Sequence, residues 1–110
     1  MEAQEKNIAK SLFEETRIED GFFILKFQNE TEKVQKVSRE VDSNFIQFHF
    51  CLKGGARFLF NGGGYVLNLS EENSLLLYNP QRDLPMNVEL NPNSNLISVV
   101  ISITKFHLLF

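Results

Sequence analysis

The stretch Phe48–Leu69, FHFCLKGGARFLFNGGGYVLNL, reads as alternating strands folded about glycines at 54–55 and 62–64. Glycine reaches the positive φ that tight hairpin turns demand, so these positions mark chain reversals rather than flexible linkers. Side chains on a strand alternate between faces, which puts Ile46, Phe48, Phe50 and Leu52 on one side and Gln47, His49 and Cys51 on the other. Phe58 and Phe60 likewise share a side opposite Arg57 and Leu59. One face is strongly apolar and the other mixed. The alternation therefore predicts a buried apolar face, with His49 and Cys51 on the mixed one.

The same pattern continues in both directions. From Gly21 onward the runs GFFILKFQ, KVQKVSREV, NFIQFHFCL, ARFLF, YVLNL, SLLLYN, MNVEL and NLISVVISI read as eight short strands. Between them lie NETE, DSN, KGG, NGGG, SEEN, PQRDLP and NPNS, built from residues that favour turns. In the last run Ile97, Val99, Ile101 and Ile103 oppose Ser98, Val100 and Ser102. Many short antiparallel strands with one apolar face close into a sandwich or barrel, which also removes exposed edges. Upstream, residues 3 to 17 predict a helix, because Ile8 with Leu12 and Ala9 with Phe13 fall four apart among lysines and glutamates. Asp20-Gly21 ends it, leaving residues 1–20 as a helical arm and 21–110 as the β domain.

Composition narrows the function. A chain of 110 residues supports one core and one site. Its net charge of −3, with lysines and arginines scattered singly, offers no basic stripe to nucleic acid. A single cysteine forbids an intrachain disulfide, and MEAQEKNIAK lacks the apolar run of a signal peptide, so a cytoplasmic location is expected. Leu96–Ile103 is too short and too interrupted by serines to span a bilayer. Eleven phenylalanines and no tryptophan predict a tight aromatic core.

No motif carries catalysis. His49 and Cys51 supply two metal donors on one strand where a divalent site needs three or four, and the other histidine, His107, lies at the chain end. Residues two apart on a strand sit about 6–7 Å from each other, too far for His49 to take a proton from Cys51. NGGGY is not followed by a helical pattern, so it is a hairpin turn rather than a phosphate cradle. Glu71-Glu72 sits in a turn before a strand, as a solvated pair.

From about Gly21 to the end, the order FIQFHFCLKG, ARFLF, NGGGYVLNL and NSLLLYNPQRDLP resembles the N-terminal cupin-like domain of AraC-family transcriptional regulators. The resemblance implies an all-β, cupin-like double-stranded β-helix, or jelly-roll barrel, here preceded by the short N-terminal helix. It implies a non-enzymatic sensory and dimerisation domain of a bacterial regulator, acting on DNA only through a helix-turn-helix domain absent from this chain. The expected partners are a second copy and a small-molecule effector, with no membrane and no cofactor. Metal-binding cupins carry two histidines one residue apart, a glutamate on the following segment and a last histidine after the Pro-containing loop. Those places fall near Glu40 to Asp42, near Phe45 or Ile46, and near Leu84, and none is a histidine. No metal is expected.

In the fold so implied, NPQRDLP lies where the barrel opens. Arg82 there has the fork geometry to grip an anionic small molecule bidentately, and Tyr78 adds a ring and a hydroxyl. The expected ligand pocket is Gln47, His49, Tyr78 and Arg82. The C-terminal KFHLLF places Phe106, Leu109 and Phe110 at helical spacing; in the family it leads through dimerisation helices to the DNA-binding domain, so self-association and continuation past Phe110 are expected. The alternative is a stand-alone small cupin, either a metal-dependent enzyme or an assembly module whose phenylalanines leave no cavity.

Overall fold

A computed structural model describes residues 11–110 of the chain. Nine strands form two antiparallel sheets: β1 (Ser11–Glu19), β2 (Phe22–Asn29), β3 (Gln35–Val41), β4 (Phe45–Lys53), β5 (Gly55–Phe60), β6 (Tyr65–Ser70), β7 (Ser74–Leu77), β8 (Leu84–Leu90) and β9 (Ser94–Ser102). A short helix, α1 (Ile103–Leu109), follows. One sheet runs β1-β2-β9-β4-β7 and the other β3-β8-β5-β6, so chain neighbours repeatedly cross between sheets, as in a jelly roll. All eight strands expected from Gly21 onward are present.

Among the described residues the expected helix is not. Ser11–Glu19 is a strand paired along its length with β2, from Ser11 opposite Asn29 to Glu19 opposite Phe22. Residues 1–10 of that arm lie outside the described residues. The helical spacing rests on two pairs, whereas β2 offers Ser11–Arg17 an unbroken ladder of partners, with an irregularity before Glu19, and that pairing overrides local preference. Gly21, at φ +75°, makes the reversal, and Phe13 packs on Phe27 with ring centroids 4.7 Å apart.

The burial of β4 is also largely the reverse of the expectation, with Ile46 alone of the expected apolar face buried. Gln47, His49 and Cys51 point into the barrel and are buried, while Phe50 and Leu52 are exposed and Phe48 is half-buried on the outside. β9 agrees: Leu96, Ser98 and Val100 face inward with Cys51, His49 and Gln47 across the ladder. The interior is filled from the opposite sheet by Phe58, Phe60, Met86 and Val88. It tolerates polar groups on β4 and β9 because they satisfy one another, so burying them carries no unpaired-group penalty. On the outer face, Phe22, Phe48, Phe50, Val99 and Ile101 meet Phe106, Leu109 and Phe110 of α1 and the chain end around a wholly apolar groove of about 260 Å³. α1 is turned onto that face by Ser102, whose Oγ accepts from the Lys105 amide at 3.0 Å.

Two loops carry specific chemistry. Asn29 is fully buried; its amide donates to the carbonyls of Lys33, Leu90 and Asn91, and its Oδ1 accepts from the amide and hydroxyl of Thr31. This one side chain ties the NETEK loop to the β8–β9 turn. Gly54 holds φ +77°, and a Cβ there would collide with the Ser94 side chain, whose Oγ accepts from the Gly55 amide at 2.9 Å.

Candidate functional site

Two cavities matter, and they divide the four residues expected to share a pocket. The first is a cleft of about 530 Å³ between the sheets, lined by Phe23 and Leu25 of β2, Arg39 of β3, Gln47 of β4 and Val100 of β9, with Glu15, Ser38, Glu40, Asp42 and Phe45 around it. The second, about 440 Å³, takes Tyr78 and Arg82 together with Phe60, Tyr65, Leu67 and Leu84. Gln47 therefore belongs to the first cavity and Tyr78 with Arg82 to the second, while His49 lines neither. His49 lies behind Gln47 in the core, 1% exposed.

A hydrogen-bond chain fixes the floor of the first cleft. Gln47 Nε2 donates to the Glu40 carbonyl at 2.8 Å, which leaves Oε1 facing the histidine. A carbonyl oxygen only accepts, so His49 Nε2 carries the proton and donates to Gln47 Oε1 at 2.9 Å. In the neutral ring Nδ1 is then the acceptor, and Ser98 Oγ donates to it at 2.5 Å. Burial first, and the Arg39 guanidinium second, push the His49 pKa down to about 3, so the ring stays neutral and this tautomer holds. The Phe58 ring packs against it at 4.7 Å between centroids. His49 is thus a structural residue that orients the Gln47 amide.

Arg39 was not among the expected site residues. It lies opposite buried Met86 on the β3–β8 ladder and so shares the inward face, in phase with Val37 and Val41. A cation at an apolar-phase position was the sequence signal for it. Its guanidinium sits over the Phe13 ring, 5.2 Å from the centroid. Phe23 and Phe45, with centroids 6.2 Å apart, form an aromatic wall beside it.

The carboxylates of Glu40, Asp42 and Asp83 come within 4.8 Å of one another at the rim. Two of them already serve the loops: Asp83 accepts from the Ser43 amide and Asp42 from the Asn44 amide, both at 2.8 Å. The histidine-rich donor set of metal-binding cupins does not fit this rim, because the equivalent places hold Glu40, Asp42, Phe45, Ile46 and Leu84, and His49 is committed to Gln47 and Ser98. Cys51 is 1% exposed, and burial pushes its thiol above the ordinary value, against a Lys53 backbone hydrogen bond that pulls it down; a protonated, enclosed thiol is a poor nucleophile.

No protein-family model matches the chain, and no curated protein sequence matches it. Solved structures do match. An RmlC-like cupin protein from Desulfovibrio desulfuricans superposes with TM-score 0.65 at 14% identity, over 86% of this chain and 84% of that one. The cupin domain of an XRE-family transcriptional regulator from Enterobacter cloacae gives 0.59 at 7% identity, over 84% and 96%. An HTH_3-family transcriptional regulator from Vibrio cholerae gives 0.61 at 11%, over 84% of this chain but only 51% of that longer one. The protein has the cupin fold, an all-β double-stranded β-helix. Cupin domains of transcription regulators are among its structural neighbours.

Among the described residues no helix is long and apolar enough to cross a membrane.

Proposed function

We propose that this chain is the non-enzymatic sensory and dimerisation domain of a bacterial AraC-type transcriptional regulator, and that a small effector binds in the cleft floored by Gln47. The observation that carries the reading is that cleft: about 530 Å³, apolar on the β2–β9 side, with convergent polar groups at Arg39 and Gln47. The motif order from Phe45 to Pro85 and the shared fold of regulator cupin domains support it. Effector binding would act by favouring one arrangement of the N-terminal segment or of the dimer, and so of attached DNA-binding domains, which requires different affinities for the two arrangements. Such a domain works in the cytoplasm.

The homodimer of this reading uses the outer face of the five-stranded sheet. Four strands of eight or nine residues and the four-residue β7 cover roughly 500 Å², which α1 and the chain end extend toward the roughly 800 Å² per partner of a standard interface. Phe50, Leu76, Leu109 and Phe110 are exposed there.

A thermal-shift screen of a broad metabolite library, with hits placed by amide chemical shifts, tests the effector site. Hits that perturb Phe23, Arg39 and Gln47, and that vanish in Gln47→Leu, support it. A silent library makes a ligand-free assembly module the better account.

A further inference from the structure

Which side chains line the interior of the cleft, and which only its rim, follows from strand phase. On β3 Arg39 faces inward, opposite buried Met86, whereas Glu40 points outward, its carboxylate clustered with those of Asp42 and Asp83. Glu40 meets the interior through its backbone carbonyl, which accepts from Gln47 Nε2 at 2.8 Å. The rim carboxylates therefore do not set the chemistry of the interior.

What the interior still has to offer is donors. Arg39 is half-buried and carries five of them, yet among the described residues its guanidinium meets the Phe13 ring, 5.2 Å from the centroid, and pairs with no carboxylate. Its charge reaches the floor, where it helps to hold His49 neutral. At that floor Gln47 Oε1 accepts from His49, and Nε2 gives one of its two hydrogens to the Glu40 carbonyl, which leaves the second to be given. Ser98 is committed to His49.

Of the carboxylates lining the cleft, Glu15 alone is in phase with the interior, opposite buried Leu25 on the β1–β2 ladder. It is exposed and forms no ion pair with Arg39, so it is a tethered competitor that an incoming anion must displace. The remaining wall is apolar: Phe23, Leu25, Phe45 and Val100, with the Phe23 and Phe45 rings 6.2 Å apart. A cation would be repelled by Arg39, and a ligand rich in donors would meet donors. A carboxylate matches the guanidinium fork with two parallel hydrogen bonds.

We propose that the cleft takes an apolar monocarboxylate, an arylalkanoic or branched aliphatic acid without a second charge, its carboxylate on the Arg39 guanidinium and its body against Phe23, Leu25 and Phe45. The assignment rests on the reading of the cleft as the effector site and narrows it.

The test is calorimetry on the chain of 110 residues with 3-phenylpropionate and 4-methylpentanoate, and with 3-phenylpropanamide and 3-phenylpropylamine, which keep the body of the first and change its head. An acid is expected to bind, with the amide about tenfold or more weaker, the loss of one charge-assisted contact, and the amine silent. Arg39→Gln is expected to bring the acid down to the level of the amide, while Arg39→Lys retains part of the preference. Glu15→Gln removes the competitor and is expected to tighten the acid about two- to fivefold while leaving the amide unchanged, a response that a merely structural role would not give. Amide spectra establish that each variant is folded, and where Arg39→Gln is not, Arg39→Lys and Glu15→Gln carry the comparison. Equal binding of amide and acid, or tighter binding of the amine, overturns the carboxylate but leaves an effector cleft. A library hit of another class that perturbs Phe23, Arg39 and Gln47, with both acids silent, does the same. Silence from the acids and the library removes the effector reading as well.

Discussion

Acidifying the protein from about pH 7.5 to about pH 4.5 places a specific load on His49. In the unfolded chain its ring gains a proton near 6.5, whereas in the fold burial and Arg39 hold it neutral down to about 3. Between those values the unfolded state binds more protons than the native state, so stability from this group is complete above 6.5 and is lost as pH falls. At about pH 4.5, two units below the unfolded value, the loss amounts to about 3 kcal/mol. That is a large share of the roughly 5–15 kcal/mol that holds a domain together. Carboxylates titrate over the same range, so the informative quantity is the stability gap between the natural chain and His49→Gln. The variant leaves Ser98 and Gln47 with poorer partners and is expected to be less stable at about pH 7.5 by roughly 1–3 kcal/mol. It has no imidazole to protonate, so the gap should narrow by about 3 kcal/mol, and can change sign, on reaching about pH 4.5. Urea unfolding followed by circular dichroism at both pH values measures it. A gap that stays constant refutes the buried neutral ring, and so does a His49 ring-proton resonance in the folded protein that titrates near 6.5.

Asn29→Ala removes a fully buried amide with five hydrogen bonds and is expected to cost about 3 kcal/mol in urea unfolding; a loss within about 0.5 kcal/mol would show that the loop is held by other means. Gly54→Ala and Gly62→Ala separate space from backbone conformation. Both glycines have positive φ, but an added Cβ at Gly54 meets Ser94 whereas at Gly62 it meets nothing within 4 Å. The expected costs are about 1 kcal/mol at Gly62 and clearly more at Gly54, and equal melting shifts would contradict the packing described.

Where strands lie was legible in the sequence because turn chemistry and period-two alternation are local properties. NGGG, KGG, SEEN and NPNS punctuate the chain, and each of the eight runs after Gly21 is a strand within a few residues of its expected bounds. The motif order was enough to point to a cupin-like barrel, the fold observed. Of the candidate cleft, Gln47 was singled out, whereas Tyr78 and Arg82 line a different cavity; Arg39 was visible only as a charge in phase with Val37 and Val41.

Two things were decided by tertiary structure. Ser11–Glu19 is a strand because β2, folding back through the Asp20-Gly21 turn, offers it a ladder that competes with helix formation, and that pairing leaves no period in the segment itself. Which face of β4 is interior was decided by what lies opposite. Alternation separates Phe48 and Phe50 from Gln47 and His49 but assigns neither to the core, since a polar face can be buried once Ser98 and the Glu40 carbonyl arrive from other strands to satisfy it. Sequence fixes periodicity; only assembled neighbours determine the free energy of burying each face.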